Sequence, residues 1–95
     1  MKHVILVKWN NNVLDKESIF IEAKNIFGKL LNIEGIKSVK LHKNVINRTN
    51  RFDLMVVIEM NKEILPVYDE SQPHKEWKEK FRKYVENKAI FDFEE

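Results

Sequence analysis

Residues 52–60, Phe-Asp-Leu-Met-Val-Val-Ile-Glu-Met, place seven apolar side chains in nine positions with no Gly or Pro. The β-branched Val and Ile residues suit a strand covered on both faces better than an amphipathic helix. Phe52, Leu54, Val56, Ile58 and Met60 form one continuous apolar row, while Asp53, Met55, Val57 and Glu59 form a mixed one. Helices can cover the first row. The second calls for another sheet, most economically that of a second copy of the chain. Residues 3–9, His-Val-Ile-Leu-Val-Lys-Trp, read as another inner strand. Residues 36–42 carry Lys37 and Lys40 in the manner of an edge strand, and residues 89–93, Ala-Ile-Phe-Asp-Phe, alternate as a last strand.

Between these runs the period changes. Asn10-Asn11-Asn12 breaks the first strand, and Asp15 is placed as an N-cap. Ile19, Ala23, Ile26 and Leu30 then recur at helical spacing, joined by Phe20, Phe27 and Leu31, until Gly35 stops the helix. Residues 44–51 form a polar connection with a basic tip. Asn61 opens a short helical segment holding Ile64, Leu65, Val67 and Tyr68; Pro66 makes it kink, or become regular only from the proline onward. Ser71 caps a fresh helix in which Trp77, Phe81, Tyr84 and Val85 share a face. The order βαββ(αα)β predicts an α+β ferredoxin-like plait, a four-stranded antiparallel sheet with helices on one face and the first and third strands in the middle. The bare face is expected to carry Val4, Leu6, Met55, Val57 and Ile90, with Val39 beside them, and to bury them in a homodimer.

Composition narrows the classes. A single domain over residues 1–95 with 43% hydrophobic residues is globular. Alone it would bury only roughly 60–70% of its unfolded surface, so a second subunit helps. The absence of Cys excludes disulfides, thiolate zinc sites and a Cys nucleophile. The first apolar run, Val4 to Val7, is too short for a signal peptide or a membrane span, which makes a cytoplasmic location without a membrane partner the expectation. A net charge of +2, with Arg only at 48, 51 and 82, is a poor nucleic-acid signature. Three widely separated histidines give no metal motif, and no cofactor is expected.

Four stretches in this order resemble the stress-responsive α/β-barrel (Dabb) family. They are Lys2-His3-Val4-Ile5-Leu6-Val7-Lys8-Trp9, Asn44-Val45 followed by Arg51-Phe52-Asp53-Leu54, the Pro73-His74 helix start, and Ile90-Phe91-Asp92-Phe93. The resemblance implies a homodimer whose two sheets close into a barrel, with a hydrophobic pocket in each subunit between sheet and helices. Most members have no assigned chemistry, but one plant member cyclises a polyketide with a His on the first strand and a His at the start of the last long helix. His3 and His74 match those positions, and Tyr68 falls where that enzyme has a tyrosine. A second tyrosine of the enzyme falls at about Ile26, and its His-Pro helix start becomes Ser71-Gln72 with the proline at 73.

Three functions follow as expectations. The first is binding of an apolar or aromatic small molecule in a pocket lined by His3, Ile5, Val7, Phe20, Ala23, Ile26, Leu54, Val56, Tyr68, His74, Trp77 and Phe81. The second is a cyclase-like enzyme in which His3 and His74 act as acid and base and Tyr68 orients the substrate. The third is a structural, stress-related dimer with no ligand. The plainer alternatives are a strand-end His3, an exposed first-turn His74, and aromatic residues that are simply core. Arg48 and Arg51 can bind an anion or belong to a solvated loop.

Overall fold

The computed structural model describes residues 1–95. Its elements are β1 (Lys2–Trp9), α1 (Lys16–Gly28), β2 (Ile36–Lys43), β3 (Leu54–Met60), α2 (Leu65–Asp69), α3 (Gln72–Phe81) and β4 (Val85–Phe93), with short 3-10 turns before β2, α2 and β4. The sheet order is β2-β3-β1-β4 and every pairing is antiparallel, the plait expected with β1 and β3 in the middle.

Local chemistry sets the boundaries. The Asp15 carboxylate accepts hydrogen bonds from the backbone N–H groups of Glu17 and Ser18, at 3.0 and 3.2 Å, and so starts α1. The helix expected to run up to Gly35 stops at Gly28 and gives way to a 3-10 turn, and Gly35, at φ 101°, instead turns the chain into β2 in a conformation that favours glycine. Pro66 sits in the first turn of α2, where its missing N–H is harmless, and the segment before it winds as a 3-10 turn. Ser71 caps α3 by accepting from His74 N–H. The last helix is shorter than its apolar stripe suggests: it ends at Phe81, Tyr84 lies in the following turn, and Val85 opens a β4 four residues longer at its start than expected.

The core lies between the sheet and α1 and α3. Ile5, Val7, Trp9, Leu54, Val56, Ile58 and Met60 face Ile19, Ala23, Ile26, Phe27, Leu30, Tyr68, Trp77 and Phe81. On the opposite face, Val4, Leu6, Met55 and Val57 lie where alternation put them, because Val4 pairs with Val57 and Leu6 with Met55. Ile90 does not. It pairs with Ile5 and therefore faces the helices, and the bare face of β4 is made by Ala89, Phe91 and Phe93. Val39 likewise pairs with Ile58 on the helix side, leaving Lys40 and His42 on the bare side. The β4 phase has a physical cause: it sets Asp92 opposite the buried His3, and a buried imidazole requires a polar partner.

Candidate functional site

Four side chains meet where β1 begins and β4 ends. His3, 4% exposed, rises from β1 into the helix layer, and its Nδ1 is hydrogen-bonded to Asp92 Oδ1. Above it lies the Tyr68 ring of α2, 1% exposed and edge-on to His3 at 5.2 Å between centroids. His74, in the first turn of α3, packs edge-on against the same ring at 4.7 Å. The Ser71 hydroxyl donates to the Tyr68 carbonyl at 2.7 Å and accepts from His74 N–H, fixing the corner between the two helices.

The hydrogen bonds select the tautomers. A carbonyl can only accept, so His74 Nδ1 carries a proton and donates to Asp69 O at 2.9 Å; the Asp92 carboxylate imposes the same state on His3. The His74 ring, with Nδ1 so committed, keeps Nε2 as an acceptor. Burial lowers the pKa of His74, aided by the Lys78 and Lys88 charges and opposed by the Asp69 carbonyl and carboxylate, so the ring is a neutral base at neutral pH. Burial, then the charges of Asp69 and Asp92, raise the pKa of Tyr68 well above the ordinary phenol range. Tyr68 is thus a hydrogen-bond donor and no base. Its hydroxyl makes no hydrogen bond within the chain, and no fully buried polar side-chain atom lacks a partner, so the hydroxyl reaches solvent.

The depressed His74 value has a sign that stability measurements can read. Between its folded value and the ordinary one of about 6.5, the unfolded chain binds the proton that the folded chain refuses, so stability rises with pH through that window. The contribution is complete above about 6.5 and is lost as pH falls through the folded value. In urea titrations across this range, His74→Gln is expected to show a flatter dependence of unfolding free energy on pH than the parent chain. Equal slopes would mean the imidazole is not held neutral.

Most of the residues expected to line a pocket between sheet and helices pack against one another. Ile5, Val7, Ala23, Ile26, Leu54, Val56, Trp77 and Phe81 all belong to one packed core cluster and serve as its substance. Periodicity identifies an inward-facing side chain but does not tell a filled interior from a hollow one. The two histidines are linked through the Tyr68 ring, against which each packs edge-on.

The open space lies one turn along α3. A groove of about 300 Å³ runs between α3 and β4, floored by Trp77, Phe81 and Val85 and edged by Lys78, Arg82 and Lys88. His74 stands one turn before Lys78 on α3, and Ile90 and Asp92 follow Lys88 on the same face of β4, between the groove and His3 in sequence register. Ile90, placed by sequence on the dimer face, is 54% exposed on this side because the helices cover β4 incompletely. Sequence reading also missed Asp92 as the partner of His3. The available signal was an acid alternating with apolar residues in a strand that must pair with a histidine-bearing one.

These features place a histidine–tyrosine cluster near a groove with an aromatic floor and cationic edges, on an α+β plait. The chain belongs to the stress responsive A/B barrel domain family, whose model matches residues 1–95. Among solved structures, it is similar to a dimeric protein of unknown function with a ferredoxin-like fold from Bacteroides fragilis, at TM-score 0.80 and 18% identity over 99% of this chain and 94% of that one. It is similar to the Arabidopsis thaliana protein At3g17210 at TM-score 0.80 and 23% identity, over 99% and 93% of the two chains. A hydroxynitrile lyase from Passiflora edulis superposes at TM-score 0.76 and 14% identity, over 97% and 89%. No curated protein sequence matches the chain. No helix is long and apolar enough to cross a membrane.

Proposed function

We propose that the chain works as a homodimer and that each subunit holds a small apolar or aromatic molecule in the groove between α3 and β4. The observation that supports this reading is a recess floored by Trp77 and Phe81, one helical turn from His74, whose Nε2 and the neighbouring Tyr68 hydroxyl have no hydrogen-bond partner in the chain. Few polar groups at the end of an apolar recess orient a ligand, and a carbonyl oxygen is the complement of a phenol that only donates. Dimerisation follows from the bare apolar face, and the Bacteroides fragilis relative is described as dimeric.

The test is a titration with acetophenone followed by amide and indole NMR signals. Shifts at Trp77, His74 and Ile90 that saturate, and that weaken several-fold in Tyr68→Phe, are expected. Absence of saturation at these residues overturns the reading.

A second reading, proton transfer on a carbonyl compound, is favoured by the lowered pKa of His74 beside a protonated Tyr68. In it His74 Nε2 takes the proton α to the carbonyl while Tyr68 donates to the oxygen, and the Asp92–His3 pair supports the tyrosine from beneath. The hydroxynitrile lyase of the same fold is a precedent for an enzyme on this scaffold. Exchange of the acetophenone methyl protons into D2O should be accelerated by the parent chain and reduced roughly 10²-fold or more in His74→Gln, the scale of a general base. Exchange no faster than in buffer excludes it.

A further inference from the structure

A second cleft, separate from the α3/β4 groove, opens beyond the C-terminal end of β1, and we infer that it binds an aryl oxyanion, a carboxylate or phosphate carried on a flat apolar body. The cleft has a volume of about 300 Å³. Trp9, Phe20 and Leu54 form its apolar side, and the connection between β2 and β3 arches over it with Ile46, Arg48 and Arg51. Lys16 and Lys43 stand at its edge, and Asp53 is the one carboxylate among its walls.

The charges in this cleft are unequally spent. Asp53 is fully engaged: one oxygen accepts from Trp9 N–H at 2.8 Å and the other from Lys16 Nζ at 3.0 Å. Lys43 is tied to Glu17 at 2.6 Å. The guanidinium groups have no such partner. Arg51 donates from Nη1 to the Asn50 side-chain oxygen at 2.7 Å, and neither Arg51 nor Arg48 forms an ion pair with any carboxylate of the chain. The chain has only three arginines, and two of them line this recess without a carboxylate partner, Arg51 committing one Nη1 donor to Asn50. A guanidinium offers paired N–H groups in the geometry of a carboxylate or phosphate.

The arch is built to hold that arrangement. Asn44 Nδ2 donates to Phe52 O at 2.9 Å and its oxygen accepts from Ile46 N–H at 2.8 Å; Arg51 N–H reaches Arg48 O at 3.3 Å, closing a turn that brings the two arginines together. The Lys8 ammonium ties the tip of the arch to β1 through Thr49 O at 2.5 Å. Beneath, Phe20 already carries the Lys43 ammonium over its ring at 5.0 Å, which marks this aromatic wall as a surface that works beside cations. Trp9 and Leu54 face the helix side of the sheet, away from the bare apolar face. An aryl group on the apolar side with its anion between Arg48 and Arg51 satisfies both halves of the recess. Neither a bare inorganic anion nor a neutral arene does.

The experiment is an NMR titration of the full chain with 2-naphthoate and, separately, phenyl phosphate, reading Arg48 and Arg51 Nε–H and the Trp9 indole N–H. Saturable shifts at these three groups are expected, with affinity reduced roughly tenfold or more in the double variant Arg48→Gln/Arg51→Gln, the scale of two charge-assisted hydrogen bonds. Preference for one probe tells carboxylate from phosphate. As a measurement independent of any variant, added salt should weaken 2-naphthoate at these groups and leave 2-naphthol unaffected. The inference is overturned by equal affinity in parent and double variant, by shifts confined to Trp77 and Lys88 in the other groove, or by inorganic phosphate binding as tightly as phenyl phosphate.

Discussion

Trp77→Ala is expected to destabilise the chain by roughly 3–5 kcal/mol, the range for deleting a large aromatic side chain from a packed core. Trp77 is 3% exposed and sits at the junction of the aromatic residues, 4.9 Å from the Phe27 ring, 4.6 Å from Phe81 and 6.4 Å from Trp9. Losing it opens a cavity that α1, α3 and β1 would all have to collapse into, and the rigid sheet beneath cannot follow. For a domain of this size each kcal/mol moves the melting temperature by about 4–8 °C, so the expected fall is on the order of 12–40 °C. Thermal and urea unfolding of the two chains measure it directly. The size of the loss discriminates: if Trp77 were chiefly a pocket wall with solvent along one face, truncation would cost about 1 kcal/mol, as for an ordinary partly exposed position, and would mainly enlarge the groove. A small loss would therefore mean that the recess extends into what is here a filled interior.

The same residue shows how far the sequence could be read. Elements whose signals are local were legible: the Asp15 and Ser71 caps, the Gly35 turn, the Pro66 restart and the inner strands β1 and β3, each written in side chains within four or five residues of where they act. The plait followed from element order. What local pattern could not supply was phase and occupancy. The alternation of Ala89-Ile90-Phe91-Asp92-Phe93 allows two phases, and the choice is made by a hydrogen bond to His3, 89 residues away in sequence. Trp77, Phe81 and Val56 were correctly inward, but whether an inward row meets another side chain or empty space depends on the volume brought by the opposing element. His3 and His74 each pack edge-on against Tyr68, a juxtaposition of three elements that no local pattern specifies.

That choice of phase in β4 makes the quaternary proposal open to a sharp test. Two cross-sheet rows run over the bare face: Lys40, Val57, Val4 and Phe91 in one, His42, Met55, Leu6 and Ala89 in the other. Phe91 is 66% exposed in the single chain, so Phe91→Asp should leave the monomer's fold and its far-UV circular dichroism intact. In the dimer the same aspartate would be buried twice, once from each subunit, without a partner, at a cost of several kcal/mol, and each 1.4 kcal/mol or so is a factor of ten in the association constant. Sedimentation velocity should therefore find the parent dimeric and Phe91→Asp monomeric at the same concentration. Ile90→Asp is the control: the Ile90 side chain points to the helix side, so the substitution should leave association unchanged while altering the neighbourhood of the α3/β4 groove. Were Ile90→Asp to dissociate the protein and Phe91→Asp to leave it paired, the two subunits would meet through the helix side of β4. A parent chain that stays monomeric at high concentration would remove the dimer altogether and leave the apolar rows without a reason.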